Sequence, residues 1–283
     1  MTRIMIPAYS TDSRGNRLET WAARNIGATG RVRLYVAAPA AVGQQLRSCV
    51  TTWGARTLPV PPELEPEYTD CFEMDGPLPS ELETLMTVLG EVLTLEVASE
   101  VDAAFALDFY KVPPTDDAPD VWTNTAAGDL VSRAKHRGDT KVNETAQRDI
   151  ARRLADVVKR HPWLRTVDAV VSIPGSKTRY WSPGERIAVK LAKELGLPMV
   201  RTTGKHTERP QAKARGEEDY EAPADLDMLS EFIVDLTPQQ KSVIVVDDVY
   251  RTGTTMRGVA AAARRGGAET VYGLVCARTL RNR

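Results

Sequence analysis

Residues 242–256, Ser-Val-Ile-Val-Val-Asp-Asp-Val-Tyr-Arg-Thr-Gly-Thr-Thr-Met, constrain the fold more than any other stretch of the chain. Val243 to Val246 form an unbroken apolar run, the pattern of a parallel strand buried on both faces. Asp247 and Asp248 follow it, at the carboxyl end where open α/β sheets place their ligands. The turn Arg251-Thr-Gly-Thr-Thr255 leads into a helix expected to open near Met256. Such a turn offers backbone N–H groups, three Thr hydroxyls and a helix N-terminus to one anion. Acids beside an anion cradle make chemical sense for a ligand with both a phosphate and a vicinal diol. A sugar phosphate has both, its hydroxyls donating to the carboxylates while the turn holds the 5′-phosphate.

This order of residues resembles the phosphoribosyl pyrophosphate (PRPP) motif of type I phosphoribosyltransferases: four apolar residues, two acids, two mostly apolar residues and a Thr/Gly-rich loop. Three further segments are similar to the competence protein F (ComF) branch of that family. Ala134-Lys-His-Arg-Gly138 resembles its Lys-Tyr-x-Gly helix ending. Ile173-Pro-Gly-Ser-Lys-Thr-Arg179 follows a strand and leads toward a helix, as does the family's pyrophosphate-binding turn, often built on a strained or cis peptide. Arg179-Tyr-Trp-Ser-Pro-Gly-Glu-Arg-Ile-Ala188 looks like the family's Arg-Gly-Phe-Asn-Gln-x-Glu-Leu-Leu-Ala, with Arg179, Glu185, Ile187 and Ala188 matching and Trp181 in place of Phe. Tyr180, Ser182 and Pro183 depart from that pattern, Arg251 replaces a Thr, and the paired-cysteine element of many members is missing. The resemblance covers about residues 122–283.

It implies an α/β chain with the type I phosphoribosyltransferase fold, a parallel Rossmann-like sheet flanked by helices, preceded by an additional N-terminal α/β region. It further implies a Mg²⁺-dependent enzyme using PRPP and a small nitrogenous acceptor. Asp247 and Asp248 would hold the ribose hydroxyls and approach the metal only through substrate or water. Lys177 and Arg179 would stabilise the leaving pyrophosphate. Gly175 and Ser176, with Val249, Tyr250, Arg251, Thr252, Gly253, Thr254 and Thr255, would complete the PRPP site. Lys205, His206, Arg209 and Lys213 lie in a charged loop over 202–224 that in related transferases closes over the reacting centre. Tyr180 and Trp181 either stack on a nucleobase or pack under a loop. A PRPP- or nucleotide-sensing regulator with the same site is the alternative, and a ComF-like accessory to DNA uptake a third.

Composition narrows the class. The 283 residues suffice for one large domain or two small ones, and 42% apolar with 27% charged is ordinary for a globular chain. A net charge of −1 argues against a general nucleic-acid surface. Cys49, Cys71 and Cys276 lie far apart, with neither metal-ligand spacing nor a disulfide framework, and read as small buried thiols. The amino terminus lacks a signal-peptide core and no apolar stretch is long enough to span a membrane, which predicts a cytoplasmic protein.

The apolar pattern predicts strands at 3–8, 32–37 and near Thr57, with a helix over 40–53. Prolines 59, 61, 62, 66, 77 and 79 predict an irregular surface stretch over 60–79. Apolar residues at helical spacing predict one long amphipathic helix over 81–105. The breaker zone 111–119 marks the expected boundary between a region 1–120 of unassigned role and a phosphoribosyltransferase-like domain 121–283. The first region reads as an acceptor-recognition cap, a dimerisation element or a partner-binding module, and a homodimer is one expectation. Beyond it come helices from 130 and over 145–161, a strand over 167–173, a helix over 184–195, a short strand over 197–201, then the strand at 243, a helix over 255–265 and a last strand over 270–276. Alternating strands and helices of this kind make a parallel sheet.

Overall fold

The computed structural model describes residues 16–112, 122–135, 140–175, 181–204 and 225–280. The expected strand over 3–8 lies outside them. The chain divides into two compact units, one of residues 1–96 with 159–165 and one of 97–158 with 166–283.

The first unit contains β1 (Thr20–Ile26), β2 (Arg31–Ala37), α1 (Ala40–Val50), β3 (Arg56–Leu58), β4 (Asp70–Asp75), α2 (Ser80–Glu91) and β5 (Leu93–Leu95). Its antiparallel sheet runs β1-β2-β4-β3. Strand β4 corrects the expectation of an irregular 60–79. The prolines all fall outside Asp70–Asp75, so none removes a ladder donor. Phe72 and Met74 are buried, and between them the Glu73 carboxylate collects Arg31, Arg33 and Arg56. The helix expected over 81–105 is corrected too. It stops at Glu91, just past Gly90, and the β-branched Val92 and Thr94 and the polar 96–102 break the run. Apolar runs of that length do not by periodicity alone distinguish helix from buried strand.

His161 is fully buried in this unit, its Nε2 2.7 Å from Gln45 Nε2 and its Nδ1 accepting from Trp163 N. Burial pushes its pKa from 6.5 down to about 3. Between these values the unfolded chain binds the extra proton and the folded chain does not. Stability is therefore present above about pH 6.5 and falls as pH drops, at a limiting slope of about 1.4 kcal/mol per pH unit. Urea midpoints measured near neutrality and near pH 5 are expected to drop more in the wild type than in His161→Gln. Equal drops would refute this role.

The second unit contains β6 (Ala103–Phe109), β7 (Lys111–Val112), β8 (Thr123–Asn124), α3 (Ala126–Ala134), α4 (Thr140–Arg160), β9 (Ala169–Ser172), α5 (Pro183–Leu195), β10 (Met199–Arg201), β11 (Thr203–Gly204), α6 (Asp225–Glu231), β12 (Phe232–Ile233), β13 (Ser242–Tyr250), α7 (Thr254–Arg265) and β14 (Thr270–Arg278). Five strands run β10-β9-β13-β14-β6, every pair parallel, giving a mixed α/β fold with a parallel central sheet and flanking helices. Strand β6 lies before the breaker zone 111–119, yet it pairs with β14 in this unit. The two-stranded ribbons β7–β8 and β11–β12 are antiparallel.

Val243, Ile244, Val245 and Val246 at the sheet centre have no exposed surface, each contributing about 1.5–3 kcal/mol of burial. Helix α7 is pinned to the start of β6 by the Arg257–Glu100 fork at 2.9 and 3.1 Å and by Arg264 on Asp102 at 2.8 Å. Arg257 holds the Glu100 carboxyl below its usual range. Among the described residues no helix is long and apolar enough to cross a membrane. All three cysteines are buried, and burial, with Asp248 nearby, pushes the Cys276 thiol up to about 12.

Candidate functional site

The chain connects β9 through α5 to β10 on one side, and β13 through α7 to β14 on the other. The winding therefore reverses between β9 and β13, and ligands of open α/β sheets sit at the carboxyl ends of such strands. Strand β9 ends at Ser172, opposite Val246, whereas β13 runs on to Tyr250, paired among the described residues with β14 alone. The two acids therefore lie on the strand rather than after it, where β13 outruns its neighbour. The sequence pattern marked the end of the apolar run, which is earlier than the end of the ladder because β14 stays apolar as far as Ala277.

Each acid has its own surroundings. Asp247 accepts from the amide of Asp248 at 2.8 Å, and the first turn of α5 lies against it. A Cβ on Gly184 would come 2.6 Å from Asp247 Oδ1. That turn is fixed by a capping box in which Ser182 and Glu185 bond each other's backbone, with Pro183 opening the helix. Glu185 is buried and also accepts from Arg201 Nε at 3.1 Å. The Arg201 guanidinium lies 5.1 Å over the Trp181 ring, and Trp181 is exposed rather than packed away. Asp248 is nearly buried and pairs with Lys135 Nζ at 3.1 Å. Lys135 follows the last turn of α3, a helix capped by Thr125, whose hydroxyl accepts from Gly128 N.

Beyond Tyr250 the chain turns into α7. Gly253 sits in the left-handed region at φ 81° as the N-cap residue, where a side chain would also strike the Tyr250 ring. The Thr252 and Thr254 hydroxyls are 3.0 Å apart, and no acid occupies the first turn of α7. An open pocket is lined by Asp247, Val249, every residue from Tyr250 to Met256, and Val275. It thus brings together Asp247, Val249, Tyr250, Arg251, Thr252, Gly253, Thr254 and Thr255, with the positive end of a helix dipole at its floor.

No protein-family model matches the sequence. No curated protein matches it either. Similar solved structures include adenine phosphoribosyltransferase from Trypanosoma brucei in complex with AMP, pyrophosphate and ribose-5-phosphate, 17% identical, with 66% of this chain and 86% of that one covered at a TM-score of 0.35. Adenine phosphoribosyltransferase from Thermoanaerobacter pseudethanolicus is 14% identical, covering 60% and 94% at 0.31. Purine phosphoribosyltransferase from Pyrococcus horikoshii is 16% identical, covering 48% and 83% at 0.31. At such values the site's own geometry carries the reading.

Gly175 is half-buried just past β9, and no peptide bond among the described residues is cis. Ser176, Lys177 and Arg179 lie outside the described residues, as do Lys205, His206, Arg209 and Lys213. Sequence reasoning placed Lys135 in the segment resembling the Lys-Tyr-x-Gly helix ending, without a partner, and gave Arg201 no role. Nothing local signals either contact: each partner is distant along the chain, Lys135 from Asp248 and Arg201 from Trp181. Glu185 was matched by pattern, and its bond to Arg201 explains why a buried carboxylate is tolerated there.

Proposed function

We propose that this chain is a Mg²⁺-dependent phosphoribosyltransferase that transfers the phosphoribosyl group of PRPP to a small nitrogenous acceptor. The observation that carries this is the meeting, at the reversal of the sheet, of Asp247 on the overhang of β13 with the Thr/Gly loop that opens α7, while Asp248, next on the strand, pairs with Lys135. The loop amides and hydroxyls of Thr252, Gly253, Thr254 and Thr255 take the 5′-phosphate. Asp247 and Asp248 accept from the ribose hydroxyls, Lys135 giving way from Asp248 as the diol arrives.

Asp247 and Asp248 are oxygen donors of the kind Mg²⁺ takes, and no group of three acids, histidines or cysteines among the described residues forms a cage for it. Such a donor set fits an ion held mainly by the ligand's own oxygens. When bound, the ion neutralises charge on pyrophosphate. The bond from the anomeric carbon to pyrophosphate breaks with its electron pair leaving on oxygen. A bond to the acceptor nitrogen forms, and that nitrogen's proton passes to solvent. Lys177, Arg179 and the amides near Gly175 are assigned to the charge growing on the leaving group. The loop over 202–224 is assigned to excluding water from the ribosyl cation.

Calorimetric titration with PRPP, with and without Mg²⁺, followed by a screen of nitrogenous acceptors for pyrophosphate release, tests the reading. Metal-dependent binding and release support it. Binding with no release for any acceptor favours a sensor, and no binding in either condition ends the proposal.

A further inference from the structure

Arg278 is the largest of the fully buried side chains in the described chain, with 1% of its surface exposed at the end of β14. Arginine seldom lies so deep unless its donors are satisfied. Here they go to main-chain carbonyls at the root of the loop. Nη1 donates to Tyr250 O at 3.3 Å and to Arg251 O at 2.5 Å, with a further short contact to Thr279 O. The guanidinium also lies 5.3 Å from the centroid of the Tyr250 ring, the ring that abuts Gly253. The register explains the meeting: Tyr250 pairs directly with Arg278, and Thr279 N closes the ladder on Tyr250 O at 3.0 Å.

In a planar trans peptide the C=O and the following N–H point in opposite directions. Carbonyls of residues 250 and 251 turned onto Arg278 therefore turn the amides of Arg251 and Thr252 away from it. The same contacts place a delocalised positive charge beneath a loop proposed to hold a dianion. These carbonyl contacts all come from Nη1, while the planar guanidinium also lies over the Tyr250 ring; an ammonium is a point donor with no plane to lay on that ring.

We infer that Arg278 is the positioning residue of the anion loop, orienting its amides from below through the Tyr250 and Arg251 carbonyls without touching the ligand. The inference rests on the phosphate role proposed for that loop. Arg278→Lys keeps the charge and loses the planar group that joins the carbonyls to the ring; Arg278→Met loses both.

Two readouts decide it. Calorimetry with ribose 5-phosphate is expected to show affinity reduced by roughly tenfold or more in Arg278→Lys, nearly as far as in Arg278→Met, as loss of a charge-assisted bridge implies. Hydrogen exchange is expected to speed up at Arg251 and Thr252 in Arg278→Lys while the amides of β9 stay protected. A merely structural role would loosen both regions together. Unchanged affinity in Arg278→Lys, or exchange that rises equally in β9 and the loop, overturns the inference. Should Arg278→Met fail to fold, the lysine variant still decides. If the wild type does not bind ribose 5-phosphate, the functional reading fails, and the exchange pattern alone judges Arg278.

Discussion

Replacing Asp247 and Asp248 together with asparagine is expected to weaken ribose 5-phosphate binding by about 10²–10⁴-fold while leaving inorganic phosphate binding close to that of the wild type. The size follows from two hydrogen bonds to charged acceptors at about 1.5–3 kcal/mol each. The selectivity follows from the split of the site. In the proposed site the diol would face the overhang of β13, and the phosphate the loop and the first turn of α7. Asparagine keeps the shape, and the fold should survive, because Asp248 gives up only one ion pair with a Lys135 whose side chain is 43% exposed. Calorimetry with the two ligands checks this. Equal affinities of wild type and variant for ribose 5-phosphate would remove the ribose assignment. An equal loss for both ligands would point to a collapsed site.

Among glycine-to-alanine substitutions in the second unit, Gly128→Ala is expected to cost the most stability. In the first turn of α3 a new Cβ would lie 1.9 Å from the Tyr110 carbonyl oxygen and 2.9 Å from its carbon. Intrinsic propensity runs the other way, favouring alanine over glycine inside a helix by about 1 kcal/mol. Overpacking against backbone costs about 1–3 kcal/mol and occasionally more. Here the strain dominates, because Tyr110 has nowhere cheap to go. Its amide donates to Arg278 O at 2.7 Å, its carbonyl accepts from Thr125 N at 3.2 Å, and its hydroxyl is 2.8 Å from Ser132 Oγ. A net loss of about 2 kcal/mol lowers the melting temperature of a unit this size by roughly 4–8 °C. A calorimetric scan checks it, and an unchanged or raised melting temperature would show that α3 moves aside freely.

Much of the second unit was legible because its signals are local. Val243 to Val246 can only be a doubly buried strand, and a glycine between threonines before an amphipathic run announces a tight helix entry. The first unit was harder. Strand β4 hides between prolines whose density drowns its six residues, and the run after Glu91 carries apolar residues that suit helix and strand alike. In the site, the backbone-built parts were readable and the cross-chain contacts were not. Lys135 reaches Asp248 across more than a hundred residues, and Arg278 looks in sequence like an ordinary charge closing a strand. Such contacts are decided by sheet register, which becomes fixed only when the strands assemble.

The overhang of β13 also divides this molecule into parts that can vary and parts that cannot. Its acids continue a strand whose four preceding residues are fully buried, so the seat proposed for the diol is built on the same backbone that holds the unit folded. Changes to residues 243–246 would cost the unit its stability, whereas the acids beyond them can be exchanged without losing the fold. Trp181, Arg201 and Lys135 are more exposed, Arg201 against Glu185 and Lys135 against Asp248. On the proposed function, a change of acceptor would come through such exposed side chains sooner than through the buried run of β13.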